Sequence, residues 1–506
     1  MGSVTLPSPM RVRLAWIALS VAAAAVPVRI GRASPMEDPS AGNAVFSGPT
    51  SPHPTSIFIN PAALLFSRPG FHLHIGGALR LDQVGIDRKI VDPASGELAG
   101  GPSVSTTTLS PTGGIAVWRS VLQERAVFGA MLHTPFIDRF VADQDALRYH
   151  VLGGTMYQGM LSAAGGFKVA DWFIFGLGVS LGYSGLHLEM ARDTALEAGS
   201  GAERGIASDC GGSPCGIENP LASETITIDV ASGGGAEGGF LSKLGGPFED
   251  FAANVGATLS VAIKVKGDWW GALSYVSPPG ALPGRSLELK QRGTVQIEEA
   301  PRDGGEFHRG RAQVRFRMPQ SVWLGVRGPV LPGWDLVTSA RWLNLSRHQQ
   351  FDLRMYGGDL EEVGVPEWYP RYRGMRDVIQ LTGGLEGQDV GRTRFGGRVR
   401  LENGATSVES VAPLQIEGWN AALTGGVDLQ LHQHWVLNAG YDLTWFLPAG
   451  VDDSAFDPIG RLSCVDSGYD FDECRAAREG RAIPTAAGDY SRLRHTLMLS
   501  IRYDSL

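Results

Sequence analysis

The chain has 506 residues, a formal net charge of −8 and only 19% charged residues, so it offers no basic footprint for nucleic acid and falls below the usual quarter of charged residues. Its 68 glycines are about twice ordinary usage. Past the N-terminus there is no uninterrupted apolar stretch of about 18 residues, which leaves strands as the only means of crossing a membrane.

Arg11 and Arg13 precede an apolar run from Leu14 to Val28, and small residues lead on to Arg32-Ala33-Ser34. A charged start, a hydrophobic stretch short of a comfortable span and a small-residue end read as a signal peptide over residues 1–33. The mature chain then starts near Ser34 or Pro35. Cleavage after one of the alanines at 22–25, or retention as an N-terminal anchor, are the alternatives.

From Phe71 the residues alternate, with Phe71, Leu73, Ile75, Leu79 and Leu81 on one face and His72, His74, Arg80 and Asp82 on the other. The same period of two runs from Phe173 to Ser184 and from Trp435 to Phe446. Alternation places successive side chains on opposite faces of a sheet, and about ten residues suffice for a tilted strand to cross a bilayer. Strands of a soluble sandwich average about five or six residues, so length favours a barrel. Trp435 and Trp445 stand at the two ends of one apolar face, where a spanning strand meets the two interfaces. Further strands are expected near 105–118, 124–134, 157–169, 222–231, 251–265, 268–276, 285–298, 308–318, 321–328, 334–344, 348–356, 376–386, 391–402, 415–432 and 491–504. Some of these are loop hairpins or mis-split strands, which gives a barrel in the low to middle teens. The segments 193–221, 232–250, 357–375 and 450–489 are polar and rich in Gly and Pro and read as long loops, against very short turns such as Gln433-His434.

Cys210 with Cys215 and Cys464 with Cys474 are sequence-near pairs in such loops, and in an exported chain they read as two disulfides. A metal reading lacks CxxC spacing and a histidine cluster. Gly178-Val179-Ser180-Leu181-Gly182 matches the GxSxG nucleophile elbow, but Ser180 lies mid-strand with no helix following. Arg392, Arg394, Arg398 and Arg400 share one strand face and are expected to face the lumen. They could meet an anionic head group there, although a charged lumen face is ordinary in barrels. His432 and His434 read as solvated turn residues, and Asp466, Asp470, Asp472 and Glu473 as loop acids without EF-hand spacing. No metal or other cofactor is expected.

The segment Ser40 to Arg88 carries Asn60-Pro61-Ala62 just ahead of the first strand. With that placement it resembles the start of the FadL family of outer-membrane transporters for long-chain fatty acids and aromatic hydrocarbons. Met318 to Met355 resembles that family's Pro-x-x-Val-x-Leu-Gly strand followed by a Trp-containing strand. Two departures are visible: the N-terminal stretch is poorer in glycine, and Leu506 is out of phase with Leu497, Leu499, Ile501 and Tyr503.

The resemblance implies an all-β, transmembrane antiparallel barrel of 14 strands in a Gram-negative outer membrane. Residues 1–33 would be the signal peptide, 34–69 a plug in the lumen and 70–506 the barrel with long extracellular loops. It also implies a monomer in contact with outer-membrane lipid and a hydrophobic small-molecule substrate that leaves sideways through a gap in the wall. Asn60 and Pro61 are expected to hold the plug against the barrel, Pro61 by its fixed φ and Asn60 by bonds to backbone. The alternatives are a non-transporting scaffold or secretion partner and, on Ser180 alone, a hydrolase.

Overall fold

The computed structural model describes residues 45–91, 98–141, 145–148, 150–192, 223–232, 254–277, 279–282, 285–286, 288–301, 304–360, 365, 367–387, 392–452, 454 and 486–505. The signal-peptide region, all four cysteines and the acids at 466–473 lie outside them.

The strands in chain order are β1 (Phe71–Val91), β2 (Leu98–Val121), β3 (Ala126–Val141), β4 (Gly153–Ala170), β5 (Phe173–Arg192), β6 (Glu224–Ser232) and β7 (Val255–Lys266). They continue with β8 (Trp269–Ser277), the short hairpin β9 (Ala281–Leu282) and β10 (Arg285–Ser286), β11 (Leu289–Glu298), β12 (Phe307–Phe316), β13 (Ser321–Leu331) and β14 (Trp334–Leu343). The last are β15 (Gln350–Tyr356), β16 (Trp368–Tyr372), β17 (Val378–Gly387), β18 (Thr393–Glu402), β19 (Asn420–His432), β20 (Trp435–Val451) and β21 (Gly488–Ser505).

Every ladder is antiparallel, and the ring closes where β1 pairs with β21 from Phe71↔Ser505 to Arg88↔Gly488. Around its lower half the order is β1, β2, β3, β4, β5, β7, β8, β13, β14, β17, β18, β19, β20, β21, a closed barrel of 14 staves. Closure gives every stave two neighbours, which is what lets strands pass through hydrocarbon.

The wall forks at β5. Its first half pairs with β7 (Phe173↔Ile263 to Leu181↔Val255) and its second with β6 (Gly185↔Ala231 to Arg192↔Glu224). From β6 an upper sheet continues through β11, β12, β15 and β16. Five staves are therefore broken in two, an upper piece running into a lower one: β6 into β7, β8 into β11, β12 into β13, β14 into β15 and β16 into β17. This is why the sequence offers more strand candidates than the barrel has staves. β16 falls within 357–375, which the sequence suggests is loop. Pro370 hides it, since proline cannot donate to a ladder, and β16 tolerates it by pairing on one side with β15 alone.

Turns at one end are short, at 122–125, 171–172, 267–268, 332–333 and 433–434, while connections at the other end include 193–223 and 452–487. The outer face carries exposed Phe71, Ile75, Leu79, Phe128, Leu161, Leu177, Leu259, Leu324, Leu423 and Leu499, and the alternate residues turn inward and are largely buried. Trp435 and Trp445 are both exposed on the outer face, as the alternation requires. Apolar side chains pointing away from the core are stable only against lipid, so the barrel spans a membrane. None of the described helices is long and apolar enough to cross one.

The largest apolar core lies inside the long-loop half. There Val84, Ile86, Val104, Met190, Ile228 and Tyr490 meet from both sides of the wall.

Candidate functional site

Residues 45–69 run inside the ring of strands and are mostly buried. A single α-helical turn, Ser56–Ile59, is followed by a 3₁₀ helix, Pro61–Phe66. Asn60 sits between them in a non-helical conformation (φ −150°, ψ 87°). Its Oδ1 accepts the Ala62 N–H at 3.1 Å, and its Nδ2 donates to the Pro49 carbonyl. Pro61 opens the second helix, where its fixed φ suits the turn and its missing N–H is not needed. The two bonds of Asn60 thus stay within the segment. They fold it rather than fasten it to the wall.

The fastening comes from elsewhere. Thr258 donates to the Phe58 carbonyl (2.9 Å), Ser274 donates to the Ile59 carbonyl, and Ser260 accepts the Ala62 N–H (3.2 Å). These hydroxyls lie on the lumen faces of β7 and β8, and they satisfy backbone groups that the two short helices leave open. Glycines let the wall come this close: a Cβ at Gly176 would lie 2.3 Å from the Ala62 nitrogen, and one at Gly166 2.7 Å from the Pro61 carbonyl oxygen. Ile57 and Leu64 pack with Trp118, Val127 and Met131.

The opposite wall is charged. Arg394 and Arg398 on β18 both reach the buried Glu386 of β17, and Arg327 of β13 joins them at 3.1 Å. Arg398 also donates to the Ser47 carbonyl, and the Arg394 guanidinium lies 4.3 Å from the Phe46 ring. Arg400 donates to Thr444 (3.1 Å), and Arg392 is exposed in the turn before β18. The four arginines therefore do not form one free cationic surface. A second cluster binds Asp82 to Arg80 (3.0 Å), Arg492 (2.9 Å) and Arg494 (2.8 Å). Glu386 and Asp82 could not be singled out from sequence, because their partners come from strands whose register one sequence does not fix.

Toward the short-turn end, a cavity of about 190 Å³ is lined by His53, His72, Arg394, Asp428, Arg502 and Asp504 among others. His72 stacks on Trp118 (4.8 Å) and bonds to Asp504 at 2.7 Å. His434 bonds to the Asp504 carbonyl at 2.8 Å, as befits a turn residue. Ser180 is buried in β5 and shares a hydrogen bond with Ser162 (2.8 Å), so it stands at no exposed strand-to-helix turn.

The wall itself is interrupted between β2 and β3. Their ladder runs only from Val121↔Ala126 to Gly114↔His133, although both strands continue. At that point β3 bulges: His133 pairs with Met160 and Phe136 with Gln158, so Thr134 and Pro135 together face Gly159. Thr134 closes the ladder with its hydroxyl, accepting the Gly113 N–H (2.9 Å) and donating to the Gly113 carbonyl (3.2 Å). Pro111 and Pro135 have no N–H to extend it. The strands meet again where Thr106 donates to the Val141 carbonyl (2.6 Å), and between, Arg80 donates to the Ile137 carbonyl from the lumen (2.6 Å). The opening lies level with exposed Leu79, Leu109 and Leu497, inside the apolar band.

No family model matches the chain, and no curated protein matches it. Among solved structures it is similar to a FadL homologue of Pseudomonas aeruginosa, with 15% identity, 94% of this chain and 99% of that one covered, and a TM-score of 0.66. It is also similar to the toluene transporters TodX of Pseudomonas putida (11% identity, 93% and 98% covered, TM-score 0.58) and TbuX of Ralstonia pickettii (13%, 94% and 100%, 0.56). Nearly the whole of each chain is matched at low identity, so what is shared is the architecture: this chain has the fold of the FadL-type barrels.

Proposed function

We propose that the protein is an outer-membrane channel for uptake of hydrophobic small molecules, of the long-chain fatty acid or aromatic hydrocarbon class, and not an enzyme. The observation that carries this reading is the opening between β2 and β3 in the apolar band. An open aqueous pore would need no such gap, whereas an apolar solute gains by leaving the lumen straight into lipid. Residues 34–69 act as the plug that denies it the axial route. The long-loop half, taken as extracellular because its connections are long, is filled by an apolar core, so a solute entering there passes through apolar rather than charged lining. The solved structures of similar fold include toluene transporters, which supports the same substrate class. Export through the signal peptide and disulfides at Cys210–Cys215 and Cys464–Cys474 belong to the same reading.

Deleting Pro135 tests it. With one residue removed, Thr134 faces Gly159 alone, the bulge disappears, and every other β3–β4 pair keeps its partner. β3 can then pair with β2 through the band at every position but Pro111. In cells lacking their own transporter, the wild-type chain should raise uptake of a labelled fatty acid or toluene above empty vector. The deletion should bring it back to vector level while heat-resistant barrel mobility on a gel is kept. Uptake by the folded deletion variant equal to wild type would rule the lateral route out.

A further inference from the structure

We propose that the outer face of the upper sheet binds the phosphate groups of the glycolipid in the surrounding leaflet, that is, lipid A. In the sheet β6–β11–β12–β15 the in-register rows are Lys290↔Arg315↔Asp352, Arg292↔Gln313↔Arg354, Thr294↔Arg311↔Tyr356 and Gln296↔Arg309. Paired residues in an antiparallel sheet share a face, so Lys290, Arg292, Arg309, Arg311, Arg315 and Arg354 stand together. The alternate residues Val295, Ile297, Ala312, Val314, Leu353 and Met355 are buried in the upper core, which turns the cationic face outward. Arg309 and Arg311 are exposed. The acids on this face are Asp229, Glu298 and Asp352, with Asp352 3.7 Å from Arg354 and also accepting from Trp368, and at its foot Glu288, 3.5 Å from Arg317.

Height selects the ligand. On the staves below, Tyr275 and Trp342 flank Val322 on the outer face, at the rank where aromatic side chains mark a membrane interface. Arg315 stands seven residues before Val322 on the same chain segment, toward the long-loop end. The cationic face thus begins on the headgroup side of that aromatic rank, the side on which lipid phosphates lie. The wall across the barrel gives the contrast: at its upper end β1, β2 and β21 present Asp87, Ser103, Ser105, Thr107, Asp489 and Ser491 outward, with Lys89 paired to Asp452 and Asp489 and, on β3, the single exposed Arg139. A merely solvated rim has no reason to gather its arginines on one side. The planar guanidinium suits bidentate contact with phosphate.

The inference rests on the barrel's spanning a membrane and not on transport, so its test is read without uptake. Full-length protein in detergent is titrated with bis-phosphorylated lipid A and with the same lipid stripped of phosphate, and complexes are counted by native mass spectrometry. We expect wild type to bind the phosphorylated form at least tenfold more tightly. The variant Arg309→Gln/Arg311→Gln/Arg315→Gln should lose that preference, and Arg→Lys at the same positions should restore part of it. If the triple variant does not fold, Arg309→Gln and Arg311→Gln singly, both at exposed positions, should each weaken binding. Equal binding of the two lipids by wild type overturns the proposal, as does an unchanged preference in the folded variants. Full displacement of the lipid by millimolar inorganic phosphate overturns it too, because the face would then be a free-phosphate site.

Discussion

The segment in the lumen lies between two unlike walls. On the side of β4, β5, β7 and β8 it meets glycines and hydroxyls: Gly166 and Gly176 let its backbone approach to contact, and Thr258, Ser260 and Ser274 take up its open backbone groups. On the side of β17 and β18 it meets arginines whose charge is already spent on Glu386, and it touches them through the Ser47 carbonyl and the Phe46 ring. The first wall fixes position through close backbone contact. The second is held together by its own charges and would stand with or without the segment. A segment that shifts to admit a solute would accordingly move from the charged wall and pivot on the small-residue one.

Breaking the charged wall should have the largest effect on stability. Glu386 is fully buried and serves Arg327, Arg394 and Arg398, while the other acids in reach are Asp335 for Arg327 and Asp428 for Arg394. Glu386→Gln keeps the shape but leaves buried guanidinium groups short of countercharge, a loss on the order of 3 kcal/mol for a broken buried pair. The loss of heat-resistant mobility should move to clearly lower temperature. If the comparison of walls is right, protease protection of residues 45–69 at low temperature should remain close to wild type, because the small-residue wall is intact.

The opposite variant should invert that result. Gly176→Val places a Cβ 2.3 Å from the Ala62 nitrogen and 2.4 Å from the Ser260 hydroxyl, too close for both to stay in place. Overpacking of this kind costs about 1–3 kcal/mol, and the cheapest relief is to move the segment off the wall. We expect the barrel to stay heat-resistant while residues 45–69 become protease-sensitive and single-channel conductance rises. A variant that is protected and closed like wild type would show that the glycine wall does not set the segment's position.

Much of this was legible in sequence, for a physical reason. Alternation records which side of each strand meets lipid, so β1, β5 and β20 could be read from Phe71, Phe173 and Trp435 without knowing their neighbours. The break in β3 left a trace as well: the strand expected at 124–134 stops just before Pro135, where the structure has its bulge before running on to Val141. The grip on the segment was not legible. Asn60-Pro61-Ala62 drew attention because it is a local pattern, yet its bonds turn out to be local too. Ser260 and Ser274 are unremarkable strand serines until register brings them about 200 residues back along the chain to the segment (|i−j| of 198 and 215). The arginines of β18 were visible as a face, but Glu386, which decides what they can bind, lies on another strand.

The smallest expected effect bears on the cavity where the charged wall and the segment face each other. His53 is buried there with its Nδ1 2.8 Å from the Thr55 hydroxyl and its ring 5.6 Å from His74. Burial first, then the positive charge of His74, Arg502, Arg398 and Arg394, holds its pKa well below the usual 6.5. The seated segment therefore keeps His53 neutral, whereas a released one lets it take a proton. Seating is at full strength well above pH 6.5 and weakens as pH falls through it toward the depressed value. His53→Gln removes the proton site. Protease protection of residues 45–69 should fall with acidification more steeply in wild type than in the variant, and the two should share one pH profile if His53 is not what the charged wall repels.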